Sequence, residues 1–314
     1  MRRNIFMSKN ILNEPFYKYY EEWIELYKRG AIRDVTLKKY YLTLRHLKNL
    51  APDLTLSNLN RIKYQKLVNK YAENHQKQTT LDFHHQVRSS ILDAYDDGLI
   101  ERDPTRKIVI KGISATTKKA KFLNQNELRA LISTLSLEDE ISLDWLIYLL
   151  AKTGLRFGEA LALTPNDFDI DNSLLNINKT WDYKSPNGMY QPTKNKSSNR
   201  KIKIDWKLNM TFARLIVNLP EDKPIFVTKR IHNSTVNQFL AKKCKEAKIQ
   251  EITLHSLRHT HASILLYAGV SVASVAKRLG HANMTTTQKT YLHIIQELET
   301  KDNNKIMEVL SYIS

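Results

Sequence analysis

HSLRHTHAS (255–263) places His255 and Arg258 three residues apart. In a helix that spacing puts both on one face, so one phosphate oxygen could receive an imidazole and a guanidinium together. Taken alone, the pair is common and fits a helix surface with scattered charge better. His255 and His259 also have the spacing of a helical zinc pair. No His-Glu-x-x-His motif or cysteine ligand set accompanies them, and the chain has one cysteine, Cys244. No metal site is expected, and His259 is read as packed or hydrogen-bonded within the fold.

Three further segments carry chemistry. Downstream lies KRLGHANMTTTQKTYLHI (277–294). Gly280 stops a helix, His281 follows the turn, and a new helix carries Tyr291, ten residues after the Gly-His pair. Upstream lies AKTGLRFGEALAL (151–163). Gly154 ends one helix and the next begins almost at once, which sets Arg156 near a helix N-terminus, a place that favours anions. Glu159 is one turn on. It either serves as the partner a buried arginine needs or orients an Arg156 that is kept for phosphate. Between these segments lies PTKNKSSNRKIKI (192–204), read as the tip of a hairpin. Lys194 there either enters a DNA groove or is one of the lysines that keep an exposed hairpin soluble.

Around these motifs the pattern is mainly helical. Apolar residues recur at helical spacing over 15–30, 35–50 (with Thr36 able to cap), 57–73 and 79–97, a four-helix bundle up to about Gly112. ISATTKKAK (113–121) is small, polar and basic, and reads as a linker. The second region opens with FLNQNELRALISTL (122–135), where Asn124 or Asn126 can cap a helix. Helices follow through Leu163. SLLNINKTWDYK (173–184), the SPNG turn (185–188), MYQPT and RKIKIDW then give one small antiparallel sheet. Helices resume from about 208. In the last stretch Asn303 or Asn304 can cap a short helix with Ile306, Val309, Leu310 and Ile313 on one face. So short a helix must dock, either on its own domain or on a neighbouring protomer.

The 314 residues suit two domains. The charge is less ordinary: 49 basic against 32 acidic residues, +17. Such a chain is poised to meet a polyanion, and nucleic acid is the default partner. The most apolar run (144–163) is interrupted by Lys152, Arg156 and Glu159, and reads as two buried helices instead of a membrane span. One thiol fits a reducing cytosol, and MRRNIFMSKN lacks the apolar stretch of a signal peptide.

The order Arg156, Lys194, His255-x-x-Arg258, Gly280-His281, Tyr291 resembles the signature of the tyrosine recombinase family, in particular integrases of Gram-positive phages and conjugative transposons. TGLRFGEAL, HSLRHTHAS and LGHANMTTTQKTY each match the family pattern, and the likeness covers about residues 15–295. It implies a mainly α fold: an N-terminal tail (1–14), a SAM-like core-binding bundle (15–112), the linker (113–121), and a mostly helical catalytic domain with a small antiparallel sheet and a C-terminal docking helix (122–314). It implies Tyr291 as nucleophile, Arg156 and Arg258 holding the phosphate, and Glu159 orienting Arg156. His255 would assist as proton acceptor, His281 would bond the scissile phosphate, and Lys194 would protonate the leaving 5′-hydroxyl. Asn195 stands where threonine often follows that lysine, which leaves Lys196 as a rival. About 14 residues precede the first helix, so the arm-binding domain of many phage integrases is expected to be missing.

The expected partners are double-stranded DNA attachment sites, a homotetramer on DNA, and an accessory DNA-bending or excision factor, with no cofactor and no membrane. The expected location is the cytoplasm of a bacterial host, at the nucleoid. Two other classes fit the sequence less well. A catalytically inactive DNA-binding regulator conflicts with every signature position being filled. A metal-dependent nuclease would need clustered carboxylates, and no convincing set is present.

Overall fold

A computed structural model describes residues 11–114, 122–185, 187–291 and 311. The chain divides into two compact units, 1–118 and 119–314. The expected tail up to residue 10, most of the linker, Pro186 of the SPNG turn and nearly all of the expected terminal helix lie outside the described residues.

The first unit holds four helices: α1 (Phe16–Tyr27), α2 (Asp34–Leu50), α3 (Arg61–Ala72) and α4 (Lys77–Asp96). In α1 the buried residues are Phe16, Tyr19, Tyr20, Trp23 and Ile24, the stripe that a 3.6-residue period puts on one face. Polar handles on these rings find partners across the bundle. Trp23 Nε1 donates to Asp93 at 2.6 Å and Tyr19 donates to the Ser90 carbonyl at 3.1 Å, tying α1 to α4. Trp23 is fully buried, so truncating it to alanine would cost about 3–5 kcal/mol. Helix α2 differs from expectation at its start. Arg33 is its N-cap and Thr36 lies inside the first turn, with Asp34 placed where the helix dipole favours a negative charge.

The second unit begins with α5 (Gln125–Ser133), closed by a capping box between Asn124 and Glu127. Helix α6 (Leu143–Thr153) is buried almost all round and packs against α7 (Phe157–Leu161), α9 (Asn233–Glu246) and α10 (Leu254–Tyr267). The run of residues 144–163 is thus the middle of a core. Among the described residues no helix is long and apolar enough to cross a membrane. The remaining helices are α8 (Trp206–Ile216), α11 (Val272–Leu279) and α12 (Met284–Thr290).

The β region forms two antiparallel sheets where one was expected. Strands β1 (Phe168–Asp169), β2 (Leu174–Ile177) and β5 (Arg200–Lys203) make one; β3 (Lys179–Trp181) and β4 (Tyr190–Pro192) make the other. The register explains the split. Ile177 faces Arg200, yet Lys179 faces Pro192, so the return arm carries a loop, 193–199, that the outgoing arm does not match. The tip lies elsewhere. Asp182 builds it by accepting from the Lys184 amide at 3.1 Å and the Ser185 hydroxyl at 2.6 Å. Lys194 therefore sits on a mid-arm bulge and not on a hairpin tip. The sequence is equally polar in both places, and only the pairing separates them.

Candidate active site

Two glycine-terminated helices and the bulge meet at one place. Gly154 ends α6 at φ +67° and Gly280 ends α11 at φ +68°, a left-handed conformation that glycine adopts without steric cost. Neither has room for a side chain. A Cβ on Gly154 would stand 2.8 Å from the His261 ring, and one on Gly280 would stand 2.9 Å from the Arg200 guanidinium.

Arg258, only 3% exposed, spans the two helix ends. It donates to the Gly154 carbonyl at 2.8 Å and to the Leu279 carbonyl at 2.6 Å. Helix C-termini favour a cation and leave carbonyls in need of donors. Burial, reinforced by Arg156, pushes its pKa down to about 9, which leaves the group charged at neutral pH. Two carbonyls use two of its five N–H donors.

Arg156 is the N-cap of α7. It donates to Glu159 at 2.6 Å, to the Gly280 carbonyl at 3.2 Å, and to the Ser198 hydroxyl at 3.4 Å. Its side chain keeps 30% of its surface open, whereas that of Glu159 is 3% exposed. Glu159 also accepts from the Arg156 amide at 3.0 Å and pairs with Arg200 at 3.0 Å. Burial alone would raise this carboxyl's pKa. Arg200 and then Arg156 outweigh it and hold Glu159 below the usual range. Glu159 is thus the buried partner of Arg156, bonded to both its side chain and its amide.

Arg200 was not singled out in the sequence, where it is one of several cations in a basic stretch. It is tied to Glu159, to the Ser198 carbonyl at 2.9 Å and to the Arg278 carbonyl at 2.6 Å. Arg156 and Arg200 thus share one carboxylate, with Arg258 close enough to act on the group, and the surplus positive charge suits an anion.

His281 follows Gly280 and has a 2.6 Å hydrogen bond between Nδ1 and the hydroxyl of the buried Thr287. Burial, with Arg258 and Arg156 nearby, lowers its pKa to about 4, so the ring is neutral at pH 7. Loss of hydration, then Arg258 and Arg156, also lowers the pKa of His255. Tyr291 is the residue that follows α12 and is 2% exposed. Burial pushes its phenol up to about 12, with Arg258 pulling the other way. Its hydroxyl lies 2.8 Å from His259 Nδ1. His259 in turn meets the His255 ring edge-on, with centroids 4.7 Å apart. The sequence located His259 only as a packed or bonded residue; its place beside Arg258 was the one available signal.

Lys194 is exposed, and its side chain has no hydrogen-bond or ion-pair partner among the described residues. Its loop is anchored to the site four residues later. Asn195 accepts from the Ser198 amide at 3.0 Å and hydroxyl at 2.6 Å, and Ser198 meets Arg156. The structure therefore gathers Arg156, Glu159, His255, Arg258, His281 and Tyr291, and leaves Lys194 exposed on its loop. Among the described residues, no group of three His, Cys, Asp or Glu side chains could hold a metal ion.

Comparison with known proteins gives concordant results. Residues 121–297 match the phage integrase family. The integrase of Staphylococcus phage L54a is 24% identical over 96% of this chain and 95% of its own length. The ICEBs1 integrase of Bacillus subtilis is 26% identical over 71% of this chain, which spans 63% of that relative. Among solved structures, the Tn1549 transposon integrase in complex with circular intermediate DNA superposes with a TM-score of 0.71 at 17% identity, covering 87% of this chain and 93% of its own. A lambda integrase dimer bound to a core site gives 0.63 at 15% identity, over 87% and 94%.

Proposed function

We propose that this chain, which belongs to the phage integrase family, is a tyrosine site-specific recombinase that cuts and rejoins double-stranded DNA to integrate or excise a mobile element. The observation that carries the reading is the convergence of a buried tyrosine hydroxyl with Arg156 and Arg258, brought from three separate segments of the chain. Both solved relatives described above hold DNA, and the +17 charge suits that partner.

The reaction follows from what these groups can do. The Tyr291 oxygen attacks phosphorus and the P–O5′ bond breaks. Negative charge grows on the non-bridging oxygens, where the remaining N–H donors of Arg156 and Arg258 are held ready by the helix ends. The bond between His281 Nδ1 and the Thr287 hydroxyl engages that ring nitrogen and leaves Nε2 to meet the phosphate, as a donor in the tautomer that carries its proton there. Lys194 gives a proton to the departing 5′-oxygen, with Lys196 as its rival, and His255 assists as proton acceptor. The product is a 3′-phosphotyrosyl ester. It keeps the bond energy, so rejoining needs no nucleotide cofactor. The helical unit ahead of residue 113 and the catalytic unit each contact the duplex. Four copies pair two duplexes, with an accessory protein bending the DNA, and residues 302–314 join neighbouring copies.

A nicked suicide duplex carrying the attachment site read from the DNA beside the gene tests this. Wild-type protein becomes covalently attached in the presence of EDTA, and Tyr291→Phe binds equally well without attaching. A Tyr291→Phe adduct would move the nucleophile elsewhere. Activity lost in EDTA and restored by Mg²⁺ would favour a nuclease, and DNA binding without any wild-type adduct would favour a non-catalytic regulator.

A further inference from the structure

The phenol of Tyr291 must lose a proton to attack, and its burial makes that harder. The base nearest to that proton is not His255 but the residue that follows Arg258. His259 Nδ1 lies 2.8 Å from the Tyr291 hydroxyl, inside the range for direct proton transfer. The two rings are tilted with centroids 5.7 Å apart, so the contact is in-plane hydrogen bonding and not stacking. A phenol whose pKa is raised keeps its proton at neutral pH, so the hydroxyl is able to donate to this nitrogen. In the tautomer with its hydrogen on Nε2, His259 accepts through Nδ1.

The surroundings favour an acceptor. His259 stands among Arg258 and His255 on its own helix, His281 on the turn after α11, and Tyr291 at the end of α12. Arg258 acts on Tyr291 in the sense that favours the phenolate. His255 meets the His259 ring edge-on and so fixes its plane. Helix α10 therefore aims its groups at two different atoms: Arg258 at the phosphate and His259 at the nucleophile.

We infer that His259 is a catalytic residue of this site, the general base that takes the Tyr291 proton as the tyrosyl oxygen bonds to phosphorus. The inference rests on the recombinase reading above. In the balanced step the O–H bond of Tyr291 breaks and its proton goes to His259 Nδ1. The O–P bond forms, the P–O5′ bond breaks, and the 5′-oxygen takes its proton from Lys194. In resealing, the incoming 5′-hydroxyl gives its proton to Lys194 and attacks phosphorus, the tyrosyl O–P bond breaks, and His259 returns the proton to Tyr291. His255 then assists through the His259 ring, which it meets edge-on.

The test separates the two proton transfers by changing the leaving group. The nicked suicide duplex is made in two forms, one with the natural P–O5′ bond and one with sulfur in place of that bridging oxygen. A thiolate leaves without needing a proton. Lys194→Ala is therefore expected to be slow on the oxygen substrate and near wild type on the sulfur substrate. His259→Ala is expected to form adduct about 10²-fold more slowly on both, with gel-shift affinity unchanged. It should also lose the decline in rate that wild type shows as pH falls and the base becomes protonated. His259→Gln offers the hydroxyl an acceptor oxygen but cannot take the proton, so it is expected to stay as slow as the alanine variant. Recovery of rate in His259→Gln, rescue of His259→Ala by sulfur, or wild-type rates in His259→Ala would each overturn the assignment. Absence of any adduct with wild-type protein on either substrate would instead remove the recombinase reading and this inference with it.

Discussion

Arg156 donates to the carbonyl of Gly280 at 3.2 Å, across 124 residues of chain. This bond joins the turn after α6 to the turn after α11, and Arg258 bridges the same two turns from α10 through the carbonyls of Gly154 and Leu279. The arginines proposed to hold phosphate are therefore also the pins that hold the site's loops together. That double duty shapes what substitutions should do.

Arg156→Ala and Arg258→Ala are each expected to lower single-turnover cleavage by about 10²-fold or more, the scale for losing a transition-state charge contact. They should differ in stability. Arg258 is buried and serves two helix ends, so its loss is expected to lower the thermal midpoint clearly, while the partly open Arg156 is expected to matter less. Near-wild-type cleavage in either variant would show that the phosphate sits elsewhere.

Glu159→Gln leaves Arg200 and Arg156 without their shared carboxylate. Breaking a buried pair in this way costs about 3–5 kcal/mol at neutral pH. The pH dependence has a definite sign. The folded pKa of Glu159 lies below its ordinary 4.5, so its contribution is complete above that value and is lost as pH falls through the folded pKa. Urea unfolding at pH 7 should separate the two proteins, and the gap should narrow below about pH 4.5. A gap that is constant down to pH 3 would mean that the charge of Glu159 contributes nothing.

Gly280→Ala combines a left-handed backbone with a blocked Cβ, whereas Gly269→Ala has the backbone term alone, since φ is +84° with nothing near the added carbon. The left-handed conformation costs an alanine roughly 1–2 kcal/mol. Gly269→Ala should lose about that much and cleave normally. Gly280→Ala should lose more and cleave slowly, because the added carbon pushes Arg200 and the Ser197 carbonyl. Equal effects from the two substitutions in denaturant titration and cleavage would show that the loop yields at no cost.

DNA affinity should fall steeply with salt. Each phosphate neutralised contributes a slope of about −0.9 in log K against log salt. Substituting Lys194, which has no protein partner among the described residues, should reduce the slope by about one unit if it meets phosphate. An unchanged slope would take Lys194 off the DNA backbone.

Much of this protein was legible without its structure, and the reason is local. Helical periodicity fixed α1 to α4, because the buried stripe of each is written in consecutive residues. Gly154 and Gly280 announced their turns, since a left-handed cap favours glycine whatever surrounds it. The His-x-x-Arg pair lies on one helix and needed no partner to be seen. What depended on tertiary structure was pairing between distant segments. The bulge at 193–199 arises from register, which no single strand contains, so Lys194 was placed on a tip. Arg200 looked like one more surface cation until Glu159 closed over it from another element. The bond from Tyr291 to His259 is set by how the end of α12 returns to α10. The sequence by itself determined which groups were available and in what order. The fold decided which of them touch, because a hydrogen bond depends on distance in space and carries no trace of its length along the chain.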